Sequence, residues 1–227
     1  LATPVQLALL GPGRPDLAAA ARQAVEAVGR PWHEPRSWPP EPATDEAVPG
    51  LHRGTALRGL FAGGTLCDEA MLIASAALGP VRSNIPLDPG WALPADLTAD
   101  GHLMIDFGDD LLTRGRAHPM IDQRTRLDRL AQEAADPSAG VILLDVVLGH
   151  GAHPDPAAEL GPAIGSAVTA ARRTGRDLRV VVSLCGSEAD PQGLDRQVDM
   201  LRRAGASVHL SNAAAARAAV DLVEVSA

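Results

Sequence analysis

An α/β fold built on a flavodoxin-like doubly wound parallel sheet, with helices on both faces, is what this sequence predicts, and three observations carry the prediction. From Leu57 onward, short aliphatic and β-branched runs alternate with amphipathic or alanine-rich stretches of helical length, the rhythm of βαβ crossovers. Two of those runs, Val141–Val147 and Leu178–Leu184, are apolar nearly throughout instead of alternating, as strands covered on both faces are. The segments that leave the strands are crowded with Gly, Asp, His and Arg, and such sheets bind ligands beyond the carboxyl ends of their strands.

Taken in chain order, Val5–Leu10 reads as a buried strand. Gly11-Pro-Gly-Arg-Pro15 is a turn, and Asp16 caps a helix over Leu17–Val28, giving a short β-α unit. A proline-rich linker over Arg30–Gly54 shows neither a helical nor a strand period and is expected to wrap on a surface. Trp32 and Trp38 would anchor it by packing or line a ligand site. Residues 1–54 are therefore set apart from a main domain over 55–227.

Within the main domain, Leu57–Phe61 is a strand, and Gly63-Gly-Thr65 turns into a helix ending at Leu78, with Thr65 and Asp68 placed like a capping box. Short strands follow at Val81–Asn84 and Leu103–Phe107. A charged helix spans Asp122–Ala135, and the strand Val141–Val147 precedes a helix over Pro156–Arg173. Beyond the strand Leu178–Leu184, helices at Gly193–Ala204 and Ala213–Val223 flank a strand at Ala206–Leu210.

Composition excludes several chemistries. All 20 basic residues are Arg, which removes Schiff-base lysines, lysine bases and the Walker-type phosphate lysine. The net charge of −8 and the scarcity of aromatics disfavour nucleic acid. Cys67 and Cys185 have no CxxC spacing and read as buried thiols of a reducing compartment. No apolar run is long enough to span a bilayer. A cytoplasmic location and no membrane partner are the corresponding expectations.

Candidate site residues lie on four strand-end segments: Ala62–Thr65, Gly108–Asp122, Gly149–Asp155 and Gly186–Gln192. Gly63, Gly64 and Thr65 at the start of a helix form either an anion site, through free amides and the helix dipole, or simply a tight turn. Arg114 and Arg116 are a clamp for carboxylate or phosphate, or else solvated. His118 is a general acid/base or nucleophile with Asp122 as its orienting carboxylate, or a loop-fixing histidine. Asp145, a carboxylate inside an apolar strand, must find donors or shift its pKa, so it fastens a loop or takes part in chemistry; Asp106 has the same character. His150 joins the anion-binding set. No metal is assigned, although His150, His153 and Asp155 have a spacing that a divalent ion tolerates. The Gly-x-Ser-x-Gly nucleophile elbow is absent.

The succession Gly59-Leu-Phe-Ala-Gly-Gly-Thr-Leu-Cys-Asp-Glu-Ala70, Gly115-Arg-Ala-His-Pro-Met-Ile-Asp122, Leu143-Leu-Asp-Val-Val-Leu-Gly-His-Gly-Ala-His-Pro-Asp-Pro156 and Asp190-Pro-Gln192 resembles the FdrA family. More distantly, Leu57–Val223 is similar to the second, flavodoxin-like domain of the succinyl-CoA synthetase α subunit, in the NDP-forming acyl-CoA synthetase superfamily. In those ligases the helix matching Thr65–Leu78 points its N-terminus at a phosphorylated histidine. The chain departs from the ligases where they carry that residue: the loop Gly186-Ser-Glu-Ala-Asp-Pro-Gln192 holds no histidine. The longer relatives also begin with a CoA-binding domain, of which Leu1–Gly29 would be a remnant.

The resemblance implies carbamoyl or acyl group transfer of the oxamate carbamoyltransferase type, in purine and allantoin breakdown. It implies a small anionic substrate such as carbamoyl phosphate, oxamate or a carboxylate, and a homo- or hetero-oligomer with other subunits of the pathway. No cofactor is assigned; CoA or a nucleotide would enter only with a partner domain. The alternatives are a non-catalytic assembly subunit that keeps the ligase fold and a metal-dependent hydrolase built on His150, His153 and Asp155.

Overall fold

The computed structural model describes residues 5–41 and 51–224. Helix α1 (Leu17–Ala27) and the two-residue strand β1 (Ser37–Trp38) precede β2 (Ala56–Phe61), α2 (Gly64–Leu78), β3 (Arg82–Ser83), β4 (Leu103–Asp106) and the single turn α3 (Asp110–Thr113). Then come α4 (Arg124–Ala135), β5 (Ala139–Val147), α5 (Pro156–Arg173), β6 (Arg179–Cys185), α6 (Leu194–Arg203), β7 (Ala206–His209) and α7 (Asn212–Glu224). One seven-stranded sheet runs in the order β1-β7-β6-β5-β2-β4-β3. Every pairing is parallel except the antiparallel edge pair β1–β7. The doubly wound α/β class expected from the sequence is what is found.

Side-chain alternation along the buried strands assigns the layers. Ile142, Leu144, Val180 and Val182 face α4, α5 and α6, where Leu130, Leu160, Ile164, Val198 and Leu201 close one core. Val141, Leu143 and Val181 face α2 and α7, where Met71, Ala74, Ala216 and Ala219 close the other. Each fully buried aliphatic side chain contributes about 1.5–3 kcal/mol of transfer free energy, so this two-sided burial fixes strand register. At the amino ends of the strands, Arg58 is buried against Glu133, Asp136 and Ser138 and also donates to the Gly101 carbonyl. That network keeps the bottom edge closed.

Three expectations are corrected. Val5–Leu10 is not a strand, and Val5, Leu7 and Leu9 are 79%, 66% and 51% exposed. A strand exists by pairing, and no pairing joins Val5–Leu10 to the sheet, whose edge strands are β1 and β3. The described part of the proline-rich linker, residues 30–41 and 51–54, lies mostly on the surface, residues 42–50 being outside the described residues, and it also supplies β1: Trp38 packs against the core, and Leu210 N donates to Arg36 O. Trp32 stacks on Arg22 instead. Finally, the capping box does not form. Gly63 occupies the cap position of α2 with no side-chain bond, and Thr65 lies inside the helix, exposed.

Candidate functional site

β2 is the point at which the winding reverses, with β4 on one side and β5 on the other, and ligands of doubly wound sheets bind in the crevice outside such a switch point. Three strand exits meet there: Ala62-Gly63-Gly64 after β2, Asp106-Phe107-Gly108 after β4, and Asp145 near the end of β5. The amide of Ala62 donates to Asp145 Oδ1 at 2.7 Å, tying the first exit to the third. Phe107 N donates to Phe61 O, tying the second to the first.

Missing Cβ atoms let these exits approach. A Cβ on Gly108 would stand 2.6 Å from the Ala62 carbonyl oxygen, 2.9 Å from His118 Nε2 and 3.0 Å from Asp106 Oδ1. One on Gly64 would stand 3.1 Å from Asp106 Oδ2. The first turn of α2 faces this space. Cys67 N makes the first helical bond, to Gly63 O at 3.3 Å, and the amides of Gly63, Gly64, Thr65 and Leu66 have no acceptor among the described residues. Four free donors at the positive end of a helix dipole suit negative charge or a carbonyl oxygen.

His118 comes to the same space on the loop after α3. Its Nδ1 accepts from Met120 N at 3.3 Å, so in the neutral ring the proton is on Nε2, the atom that faces Gly108. The carboxylates whose fields His118 meets are Asp106 and Asp145. The expected partnership with Asp122 is corrected. Asp122 binds Arg124 through its side chain, at 2.5 Å, and also accepts from the Arg124 backbone amide, at 3.1 Å. Those bonds hold its carboxyl down to about 2. It therefore serves the start of α4, and its link to His118 is a backbone bond, Asp122 N to His118 O.

Asp145 is wholly buried. Arg126, equally buried, approaches its Oδ1 at 3.2 Å and donates to its backbone carbonyl at 2.6 Å. Asp145 Oδ2 has no hydrogen-bond partner among the described residues. Burial, the largest influence, pushes its carboxyl above the ordinary range, although Arg126 and the Ala62 amide pull it down. Asp106, 6% exposed, is likewise pushed up by burial, against the bond from Gly108 N. Asp106 is held at both ends: Asn84 brackets its backbone with two bonds of 2.9 Å, and Gly108 N donates to Oδ1 at 2.8 Å. Neither Asn84 nor Arg126 was distinguishable from the sequence as part of this rim.

The remaining candidates sit farther out. Arg114 and Arg116 are exposed, and neither guanidinium has a hydrogen bond or ion pair among the described residues. His150 is exposed on a loop clamped by Gln192, whose amide exchanges bonds of 3.1 and 2.9 Å with Gly149 and donates to His153 O. That loop reaches the His118 loop through His153 N and Met120 O at 2.7 Å. His153 lies 3.4 Å from Glu159, and Asp155 is taken by Arg196 and Gln197. Among the described residues no cluster of three or more His, Cys, Asp or Glu side chains could hold a metal ion. Cys67 is buried as expected. Cys185 is exposed, a correction that follows from its place as the last residue of β6. Although the residue is exposed, burial of its sulfur, with Asp145 and Asp190 nearby, pushes its thiol up, so it is no ready thiolate.

A model of the CoA-ligase family matches residues 60–222, the stretch that builds this rim. The chain belongs to the CoA-ligase family. Over 149 residues it is 43% identical to Uncharacterized protein YahF of Escherichia coli (strain K12), a match covering 66% of this chain and 29% of that protein. The chain thus spans less than a third of that relative's length. No helix among the described residues is long and apolar enough to cross a membrane.

Proposed function

We propose that this ligase-family domain is FdrA-like and serves carbamoyl or acyl group transfer, binding a small carboxylate or acyl phosphate at the switch-point rim. The observation that carries the reading is the unsatisfied first turn of α2 at the rim where the Gly108 exit brings His118 Nε2 close to the Ala62 carbonyl. In the transfer a nucleophile attacks the carbonyl carbon, the bond to the phosphate oxygen breaks, and phosphate leaves with the electron pair. The α2 amides receive the oxyanion that develops on the carbonyl; a single such donor is typically worth ~3 kcal/mol of barrier. His118 Nε2–H donates to the leaving oxygen. Arg114 and Arg116, on the same loop and without competing carboxylates, take the phosphate. Asp145 holds the Ala62 turn in place. His150, Thr65 and Gly63 line the approach.

Beyond the donors that the proposed transfer uses at the rim, the described residues offer CoA's diphosphate no second cluster of donors. Asp106, Asp145 and Asp155 crowd the strand ends, and the Ala157 amide at the start of α5 is taken by Gln197. No step of the proposed transfer passes through CoA, which would come with a partner domain. The loop after β6, where the ligases carry their phosphohistidine, has none here.

Thermal shift with carbamoyl phosphate, acetyl phosphate, oxamate, phosphate, ATP and CoA tests this reading. A ligand at a hundred times its dissociation constant adds about 2.7 kcal/mol of apparent stability, and the first three are expected to act. His118→Ala should keep that binding and lose turnover. Intact turnover would remove His118 from the chemistry, and lost assembly with a partner subunit would favour the scaffold alternative.

A further inference from the structure

At a trigonal carbonyl carbon bound in the rim, the carbonyl oxygen goes to the α2 amides and the leaving oxygen to His118, so the remaining substituent needs a wall of its own. Two apolar side-chain tips stand against the first turn of α2. A Cβ on Gly63 would meet Met120 Cε at 3.4 Å, and one on Gly64 would meet Ile85 Cδ1 at 3.7 Å. Ile85 packs against the core between the sheet, α2 and α7, so it is a fixed wall. Met120 is half-buried and belongs to neither core. Its backbone, however, is pinned from both sides: its N–H donates to His118 Nδ1 at 3.3 Å, and its carbonyl accepts from His153 N at 2.7 Å. An unbranched thioether on a fixed backbone position yields only within the reach of its own rotamers.

We infer that Met120 is the specificity-determining residue of the rim, its methyl closing the side on which the ligand's acyl substituent lies and so limiting how long that substituent can be. This rests on the reading of the rim as a transfer site and adds the residue that bounds its ligand. A longer chain must either push the Met120 methyl off Gly63 or give up its carbonyl's place on the α2 amides, and both weaken binding. The absence of a side chain at Gly63 is what lets the methyl come down onto the turn. Because Met120 stands outside the two cores, shortening it enlarges the rim without opening the interior.

Acetyl phosphate and butyryl phosphate share the phosphate and the carbonyl and differ in chain length alone, and isothermal titration of the chain with each is the test. A methylene without room is worth about tenfold or more in an apolar pocket, so the unaltered chain should bind acetyl phosphate at least about tenfold more tightly than butyryl phosphate. Met120→Ala should bind butyryl phosphate about tenfold more tightly than the unaltered chain does, a gain that damage to the fold does not produce. Met120→Leu, of similar volume, should keep the original preference. No gain for butyryl phosphate in Met120→Ala, or equal affinities in the unaltered chain, would overturn the inference and leave the anion-binding rim standing. Binding of neither acyl phosphate to the unaltered chain would overturn both. Weaker binding of both in Met120→Ala would make Met120 a support of the His118 loop and also overturn the inference.

Discussion

Asp145→Ala separates a carboxylate that fastens the rim from one that merely sits in it. The substitution removes the acceptor of the Ala62 amide, bonded at 2.7 Å, and the counter-charge of Arg126, 3.2 Å away, in a place where both side chains are almost wholly out of water. A buried donor left unpaired costs about 1–3 kcal/mol. A buried charge stripped of its partner costs about 3–5 kcal/mol. The two overlap, because Arg126 keeps its bond to the Asp145 backbone carbonyl, so a loss of about 3–5 kcal/mol in urea denaturation is expected, a large share of a net stability of ~5–15 kcal/mol. The double substitution Arg126→Met, Asp145→Leu removes more polar groups yet should cost less than Asp145→Ala, since no charge stays buried. A loss below about 1 kcal/mol for Asp145→Ala, the low end for an unpaired buried donor, or a double variant worse than the single, would refute the reasoning.

Three further outcomes follow from the same geometry. Gly108→Ala places a methyl 2.6 Å from the Ala62 carbonyl oxygen, so it should cost ~1–3 kcal/mol by overpacking and abolish ligand-induced thermal shifts. Asp106 titrates above its ordinary value because of burial. The stability it contributes is therefore full below about pH 4 and is lost as pH rises through the raised value; the stability of the unaltered chain minus that of Asp106→Asn should fall as pH rises above about 4 in urea titrations. Asp122 is displaced the other way, so its contribution is present above about pH 4 and lost as pH drops through about 2. Carboxyl NMR titration should find it ionised at about pH 3, and Asp122→Asn should leave turnover within about twofold, as expected of a surface substitution away from the rim.

What could be foreseen depended on how local each signal was. Pro156 at the first helical position and a strong turn after Arg173 bracket α5, and its bounds are those read from the sequence. β5 and β6 declared themselves by uninterrupted apolar runs. β1 did not, because two residues in a proline-rich stretch carry no period, and its pairing with β7 is decided by tertiary packing. Val5–Leu10 has the composition of a strand but pairs with neither edge of the sheet. At the rim, Asp145 stood out as a charge in an apolar strand, but its partner did not. Arg124, Arg126 and Arg129 are all on one helix, and the inward stripe Arg126, Leu130 and Glu133 is mostly polar, so hydrophobic patterning hides it. Asn84 and Gln192 act through long-range backbone bonds, which leave no trace in local spacing. His118 and Asp122 show the converse: they are near in sequence, but their side chains meet different partners, Met120 N and Arg124.

Amide chemical-shift mapping with oxamate puts the claim of a switch-point site to its most direct trial. Movements are predicted at Gly63, Gly64, Thr65, Leu66 and Gly108, together with the His118 ring. Movements confined instead to the groove of about 700 Å³ between Leu10–Asp16, Leu72–Ala76 and Trp91 would contradict it, as would a spectrum that does not change.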